Sequence, residues 1–186
     1  MKNRKSILLL AALVALAALG MTAAGCRSRT DRSEGTVLLT ISAFNGLPST
    51  VSLRSQSPPF TIDQLTVRNI AKDPAGTTSD LQSVELRSIE IRYTRRDTGT
   101  RVPPPNVQSI FGLVPVNGTN TLTNIPLLTS DQVLSQPLKD LRDLGRDTET
   151  GTAVVVLDVS MRAFGRTLSG DEIVSDPARF TLEVRP

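Results

Sequence analysis

The chain has 186 residues, 39% of them apolar, with 21 Lys and Arg against 18 Asp and Glu, no His, no Trp and a single Cys. This length predicts one folded domain. Without His there is no imidazole base, proton shuttle or imidazole metal ligand. One thiol closes no internal disulfide and builds no cysteine zinc site.

The N-terminus reads as an export signal in three parts. Lys2, Arg4 and Lys5 make a basic start, and Ile7 to Leu19 form an apolar run of 13 residues. That run is too short to span a bilayer core as a helix. The small residues Thr22, Ala23, Ala24 and Gly25 follow, and then Cys26. Without residues 1–25 the chain has 161 residues, with 18 bases and 18 acids. The basic balance of the whole sequence therefore belongs to the signal, and nothing in the net charge points to nucleic acid.

Ala23-Ala24-Gly25-Cys26 after this apolar run resembles the lipobox of bacterial lipoproteins, with Ala23 where Leu is usual. The resemblance implies cleavage before Cys26, a diacylglyceryl group on its thiol, and further acylation of the new amino terminus. Two or three acyl chains, at roughly 0.8 kcal/mol per buried methylene, hold a protein on a membrane where one chain does not. Residues 27–35 (RSRTDRSEG) are polar and aperiodic, which predicts a flexible tether. In that class an Asp after the cysteine favours inner-membrane retention, so Arg27 implies the outer membrane. The expected layout is a cleaved signal at 1–25, a lipidated Cys26 with a tether to residue 35, and a folded domain over 36–186.

From Thr36 the dominant pattern has period two. Strands are expected over Thr36–Ala43, Thr50–Arg54 and Phe60–Ile70, the last with one change of phase between Ile62 and Leu65. The loop AKDPAGTTSD follows. Val84–Thr94 also changes phase: Val84 and Leu86 share one parity, Ile89, Ile91 and Tyr93 the other. An inserted bulge residue near Arg87-Ser88 returns all five to one face, leaving Glu85, Glu90 and Arg92 outside. Asp97-Thr98-Gly99 reads as a turn, and Pro103-Pro104-Pro105 excludes a central strand nearby. Ser109–Val116 and Thr119–Ile125 flank Asn117-Gly118, a signal for a two-residue hairpin.

One helical connection is expected near 130–145, with Ser130 capping its start, Pro137 in a first turn and Gly145 stopping it. Leu134, Leu138, Leu141 and Leu144 then share a face. Ala153–Phe164 reads as a central strand, GRTLSGDE as a turn, and Ala178–Val184 as a closing strand. About seven to nine short strands with Pro/Gly-rich turns predict an all-β, antiparallel Greek-key β-sandwich. The stretches IEIRYTRRDTGT (89–100) and AVVVLDVSMRAFGRTLSGDEIVSDPARFTLEV (153–184) are similar to the third strand and the closing hairpin of immunoglobulin and fibronectin type III domains. The core Trp, the sheet-linking cysteine pair and the Tyr of the penultimate strand are missing.

Candidate chemistry is sparse, and no enzyme activity is expected. With no His, a nucleophile needs Lys or a carboxylate as base, and only Lys72 and Lys139 remain beyond the signal, neither in a Ser-x-x-Lys spacing. No catalytic, cofactor-binding or metal-ligating residue is assigned. Asp171, Glu172 and Asp176, or Asp147 with Glu149, are oxygen ligands that calcium would use, but acidic turns are more often solvated. Arg87, Arg92, Arg95, Arg96 and Arg101 cluster around the bulged strand among Glu85, Glu90 and Asp97, which reads as a salted outer face. The six aromatics beyond the signal, Phe44, Phe60, Tyr93, Phe111, Phe164 and Phe180, mostly fall on apolar strand faces and are expected in the core.

The expectation is a bacterial cell-envelope protein held to a membrane through lipid at Cys26, with a non-catalytic binding, adhesive or scaffolding role. A protein partner in the envelope is expected, and no nucleic acid or cofactor. One alternative is an accessory subunit of a larger envelope or secretion assembly that meets partners through an exposed strand edge. The other is a calcium- or carbohydrate-binding module.

Overall fold

The computed structural model describes residues 35–186. The signal, Cys26 and the tether up to residue 34 lie outside the described residues. Val37–Asn45 (β1), Thr50–Ser52 (β2), Phe60–Ala71 (β3), Val84–Arg95 (β4), Asn106–Val114 (β5), Thr119–Leu128 (β6), Val155–Thr167 (β7), Glu172–Val174 (β8) and Ala178–Arg185 (β9) are strands. Ser130–Val133 (α1) and Leu138–Leu144 (α2) are short helices, and Asp80–Gln82 is a single 3-10 turn.

These strands form two sheets, one ordered β1-β3-β6 and the other β2-β9-β7-β4-β5, with β8 beside β7. The pairings are antiparallel except that β2 runs parallel to β9. Strands adjacent in sequence fall in different sheets, β3 to β4 and β5 to β6 to β7, so the chain crosses repeatedly between the two layers of an all-β sandwich. One apolar cluster joins the inner faces. Among the described residues it is mainly aliphatic, with Phe60 and Tyr93 its buried aromatics. The sheets are also tied by polar groups. Tyr93 Oη on β4 donates to the Leu127 carbonyl on β6, and the buried Asn69 Nδ2 on β3 donates to the Val114 carbonyl at 3.3 Å.

The expected bulge in β4 is present: the register shifts between Leu86 and Ser88 against both β5 and β7. Val84, Leu86, Ile89, Ile91 and Tyr93 all face the core. Opposite the bulge, a Cβ on Gly165 would lie 2.6 Å from the Glu85 carbonyl oxygen, so glycine is needed where β7 passes closest to β4. In β3 the phase change is also real. Asp63 and Gln64 are both exposed, and β6 switches faces with it through Thr123 and Asn124, the latter at φ 54°.

Three local expectations change. Asn117-Gly118 does not close a two-residue hairpin, because β5 and β6 belong to different sheets. It ends a four-residue turn in which the Gly118 amide donates to the Pro115 carbonyl at 3.0 Å. Asn117 takes the positive φ of 56°, and its Oδ1 accepts from the Ala71 amide at 3.0 Å. The turn thus anchors a crossover to the end of β3. Second, Thr129, not Ser130, caps α1, in a capping box with Gln132. The helical stretch is two pieces separated at Gln136-Pro137; Leu138 and Leu141 are buried, while Leu134 in the first piece and Leu144 at the end of the second are exposed. Third, GRTLSGDE is not all turn, since β7 continues to Thr167 and β8 begins at Glu172. Gly145 does end α2, in the left-handed conformation.

Candidate functional site

Two regions hold the molecule's concentrated polar and exposed apolar groups. The first is a cage of charges where β4 ends. Arg95 is the last residue of β4, and its side chain is 1% exposed. Its Nε donates to Asp97 Oδ1 at 2.6 Å and its Nη2 to Asp97 Oδ2 at 2.6 Å. Nη2 also donates to Asp147 Oδ2 at 2.9 Å. Nη1 makes no hydrogen bond but lies 3.7 Å from Glu149 Oε2. The planar fork of Arg suits this bidentate geometry where the point charge of Lys does not.

Each carboxylate of the cage is held further. Asp147 accepts from the Thr150 hydroxyl at 2.7 Å and the Thr150 amide at 3.1 Å. Glu149 accepts from the Thr100 amide at 2.8 Å, the Thr100 hydroxyl at 2.6 Å and the Arg101 amide at 3.0 Å. The Thr100 hydroxyl and the two amides bring Glu149 down to about 2. The hydrogen bond from Arg95 holds Asp97 below the usual carboxylate range. Burial works to raise Asp147, but Thr150 and Arg95 outweigh it and leave it lowered. Asp147 and Glu149 therefore close on an internal guanidinium, which supplies the positive charge a cation would bring. Among the described residues no three His, Cys, Asp or Glu side chains gather as metal ligands. In the other acidic turn, Asp171 accepts from Ser169, and Glu172 faces Arg87 at 3.6 Å.

The sequence's arginine cluster is dispersed in the same way. Arg92 bonds Glu90 at 2.7 Å, Arg96 lies 3.2 Å from Asp158, and Arg101 donates to the Gln136 side chain at 2.8 Å. With Arg87 on Glu172 and Arg95 in the cage, all five have partners.

The second region is the outer face of the larger sheet at β5. This strand ends the strand order, so among the described residues one of its edges has no neighbouring strand in the sheet. Its residues, NVQSIFGLV, include no charge. Val107, Phe111 and Leu113 alternate on the solvent side at 64%, 85% and 48% exposure. Cross-strand pairing sets Val107 beside Glu90 and Leu113 beside Glu85, so the apolar strip borders the salted middle of the sheet. From the inner side, Gln108 Nε2 reaches the Pro126 carbonyl on β6 at 3.0 Å and fixes the strand's orientation. Phe111 is thus not a core residue: it shares the unbroken outward parity of Val107, Ser109 and Leu113 along β5.

No family model matches this chain, and no similar protein was found among curated sequences or solved structures.

Among the described residues no helix is long and apolar enough to cross a membrane.

Proposed function

We propose that this chain is a lipid-anchored protein of the bacterial cell envelope, probing its surroundings through a non-catalytic β-sandwich that docks a protein partner on the outer face and open edge of β5. The observation that carries the docking surface is the strip of Val107, Phe111 and Leu113 on an uncharged edge strand. Edge strands facing solvent are ordinarily blunted by charge or proline, and an apolar one invites strand addition. An aromatic side chain left this exposed also fits the anchor of an interface, where Phe, Tyr and Trp are enriched. The anchor rests on the sequence: the basic start, the short apolar run and Cys26 behind small residues.

The two halves are tested separately. Palmitate incorporation is expected in the wild-type chain and not in Cys26→Ala; a wild-type chain without lipid removes the anchor. For docking, a photo-crosslinking amino acid is placed at 111 and, as control, at the exposed Arg68 on β3. In intact cells, a discrete adduct at 111 alone supports the surface. Equal labelling at both positions, or none, overturns it. A stoichiometric adduct with one protein makes the chain an accessory subunit of a larger envelope assembly.

A further inference from the structure

The outer face of the larger sheet carries a second feature, distinct from the β5 strip. A cleft of about 420 Å³ lies over β4, β7 and β9, lined by Thr94, Arg96, Asp158, Ser160, Arg179 and Thr181 among others. The strand register places these groups in rows. Arg92 on β4 pairs with Ser160 on β7, which pairs with Arg179 on β9. In the next row Thr94 pairs with Asp158, and Asp158 with Thr181.

The second row is internally satisfied. Asp158 accepts from Arg96 Nε at 3.3 Å and from the Thr181 hydroxyl at 3.0 Å, and the Thr94 hydroxyl reaches the Asp158 carbonyl at 3.4 Å. The first row is not. Among the described residues neither the Arg179 guanidinium nor the Ser160 hydroxyl has a hydrogen bond or ion pair. Arg162 stands two residues along β7 from Ser160, on the same outer face, and is likewise exposed without a partner. Four arginines (92, 96, 162 and 179) meet two carboxylates, Glu90 and Asp158, which leaves two positive charges unbalanced.

We propose that this cleft binds a phosphate group, gripped by Arg179 and the Ser160 hydroxyl, with Arg96 held in place by Asp158 and with Arg162 adding positive charge from beside the cleft lining. Guanidinium forks match phosphate oxygens geometrically. A phosphate monoester carries a charge of about −1.5 to −2 at pH 7, which balances the unpaired arginines. The cleft is at the smaller end of ligand-sized cavities, roughly 300–1,000 Å³. It has room for a group carrying the phosphate as well as the phosphate itself.

The test follows backbone amide shifts of the full-length chain while inorganic phosphate, glycerol phosphate and acetate are titrated separately. Saturable shifts at Ser160, Arg179 and Thr181 with both phosphates, and at least about tenfold weaker ones with acetate, are expected from the charge-assisted bonds involved. Arg179→Gln is expected to weaken phosphate binding about tenfold. Arg87→Gln, on the same sheet but paired to Glu172, is expected to leave it unchanged. Tighter binding of glycerol phosphate identifies a phospholipid headgroup as the source, and equal binding identifies free phosphate; either supports the site. Absence of saturable shifts at these amides, acetate binding as tightly as phosphate, or indifference to Arg179→Gln each overturns the proposal.

Discussion

Arg95 and Arg179 carry the same guanidinium on neighbouring parts of one sheet, at the end of β4 and at the start of β9. Arg95 is 1% exposed and meets Asp97, Asp147 and Glu149. Arg179 is exposed, and its guanidinium has no hydrogen bond or ion pair among the described residues. The first arrangement turns its polar groups inward: every carboxylate is bonded to the guanidinium, to loop amides or to threonine hydroxyls. It joins the loop after β4 to the loop after α2, and its product is a fixed sandwich end. The second leaves valence over, as does the β5 strip with its exposed ring. Capacity to bind is found where the fold leaves groups unsatisfied, and stability where it closes them.

The comparison breaks most sharply at Arg95. Arg95→Met removes the guanidinium and leaves Asp147, which is fully buried, without a counter-charge. Breaking a buried pair from one side costs about 3–5 kcal/mol. A urea unfolding series at pH 7 is expected to show that loss, and a loss below about 1 kcal/mol, the scale of a surface pair, sinks the closed-cage reading. The deficit of the variant shrinks as pH falls, because an unpaired buried Asp147 takes up a proton more readily.

Tyr93 probes the same closed chemistry between the sheets. Its hydroxyl donates to the Leu127 carbonyl and accepts from Gln132 Nε2 at 3.3 Å. Burial pushes the phenol up to about 12, against the opposing pull of Gln132. Tyr93→Phe strands those partners and costs about 1–3 kcal/mol. The raised value means this stability is whole below the phenol's ordinary value near 10 and is lost as pH rises toward about 12. Since Tyr93 is the chain's only tyrosine, tyrosinate absorbance reads it alone. A titration midpoint near 10 contradicts its burial.

A third test titrates the cage carboxylates. Asp97, Asp147 and Glu149 are all lowered, Glu149 to about 2. Groups with depressed folded values stabilise above their unfolded values, near 4, and lose that contribution as pH falls through the folded ones. Stability is therefore expected to be level from neutrality to about pH 5 and to fall between about pH 4 and 2. Glu149→Gln should soften that fall without moving the neutral plateau as far as Arg95→Met does. An acid transition identical in wild type and Glu149→Gln removes Glu149 from the cage's account.

Much of the sandwich was legible because alternation is local. The two parities of Val84, Leu86 and Ile89, Ile91, Tyr93 required a bulge, and the bulge is there. Asn117-Gly118 misled because an asparagine turn has the same local chemistry whether the chain stays in one sheet or crosses to the other. The leucine spacing from 134 to 144 runs through Pro137, which divides the helix and takes Leu134 off the buried face; Leu144, in the last turn of α2, is exposed as well. Arg95 looked like one more surface cation, since its acids at 147 and 149 lie some fifty residues away and only tertiary folding unites them. Arg162 and Arg179 are outward residues of alternating strands and carry no local signal of their own. Their adjacency across Ser160 depends on the register between β7 and β9, which no single strand encodes.

The smallest expected change in stability is at Phe111, where the open half of the comparison stands or falls. An exposed ring that packs on nothing contributes little to folding, so Phe111→Ser is expected to move the unfolding free energy by no more than about 0.5 kcal/mol. The same substitution removes the largest apolar group from the β5 strip, and with it the crosslink that a reporter at a neighbouring strip position, Val107 or Leu113, forms in cells. Separation of the two effects is the informative result: unchanged folding with lost contact assigns Phe111 to a partner. If Phe111→Ser instead unfolds the protein, the ring is holding β5 in place, and the strip belongs with Arg95 among the groups the fold uses for itself.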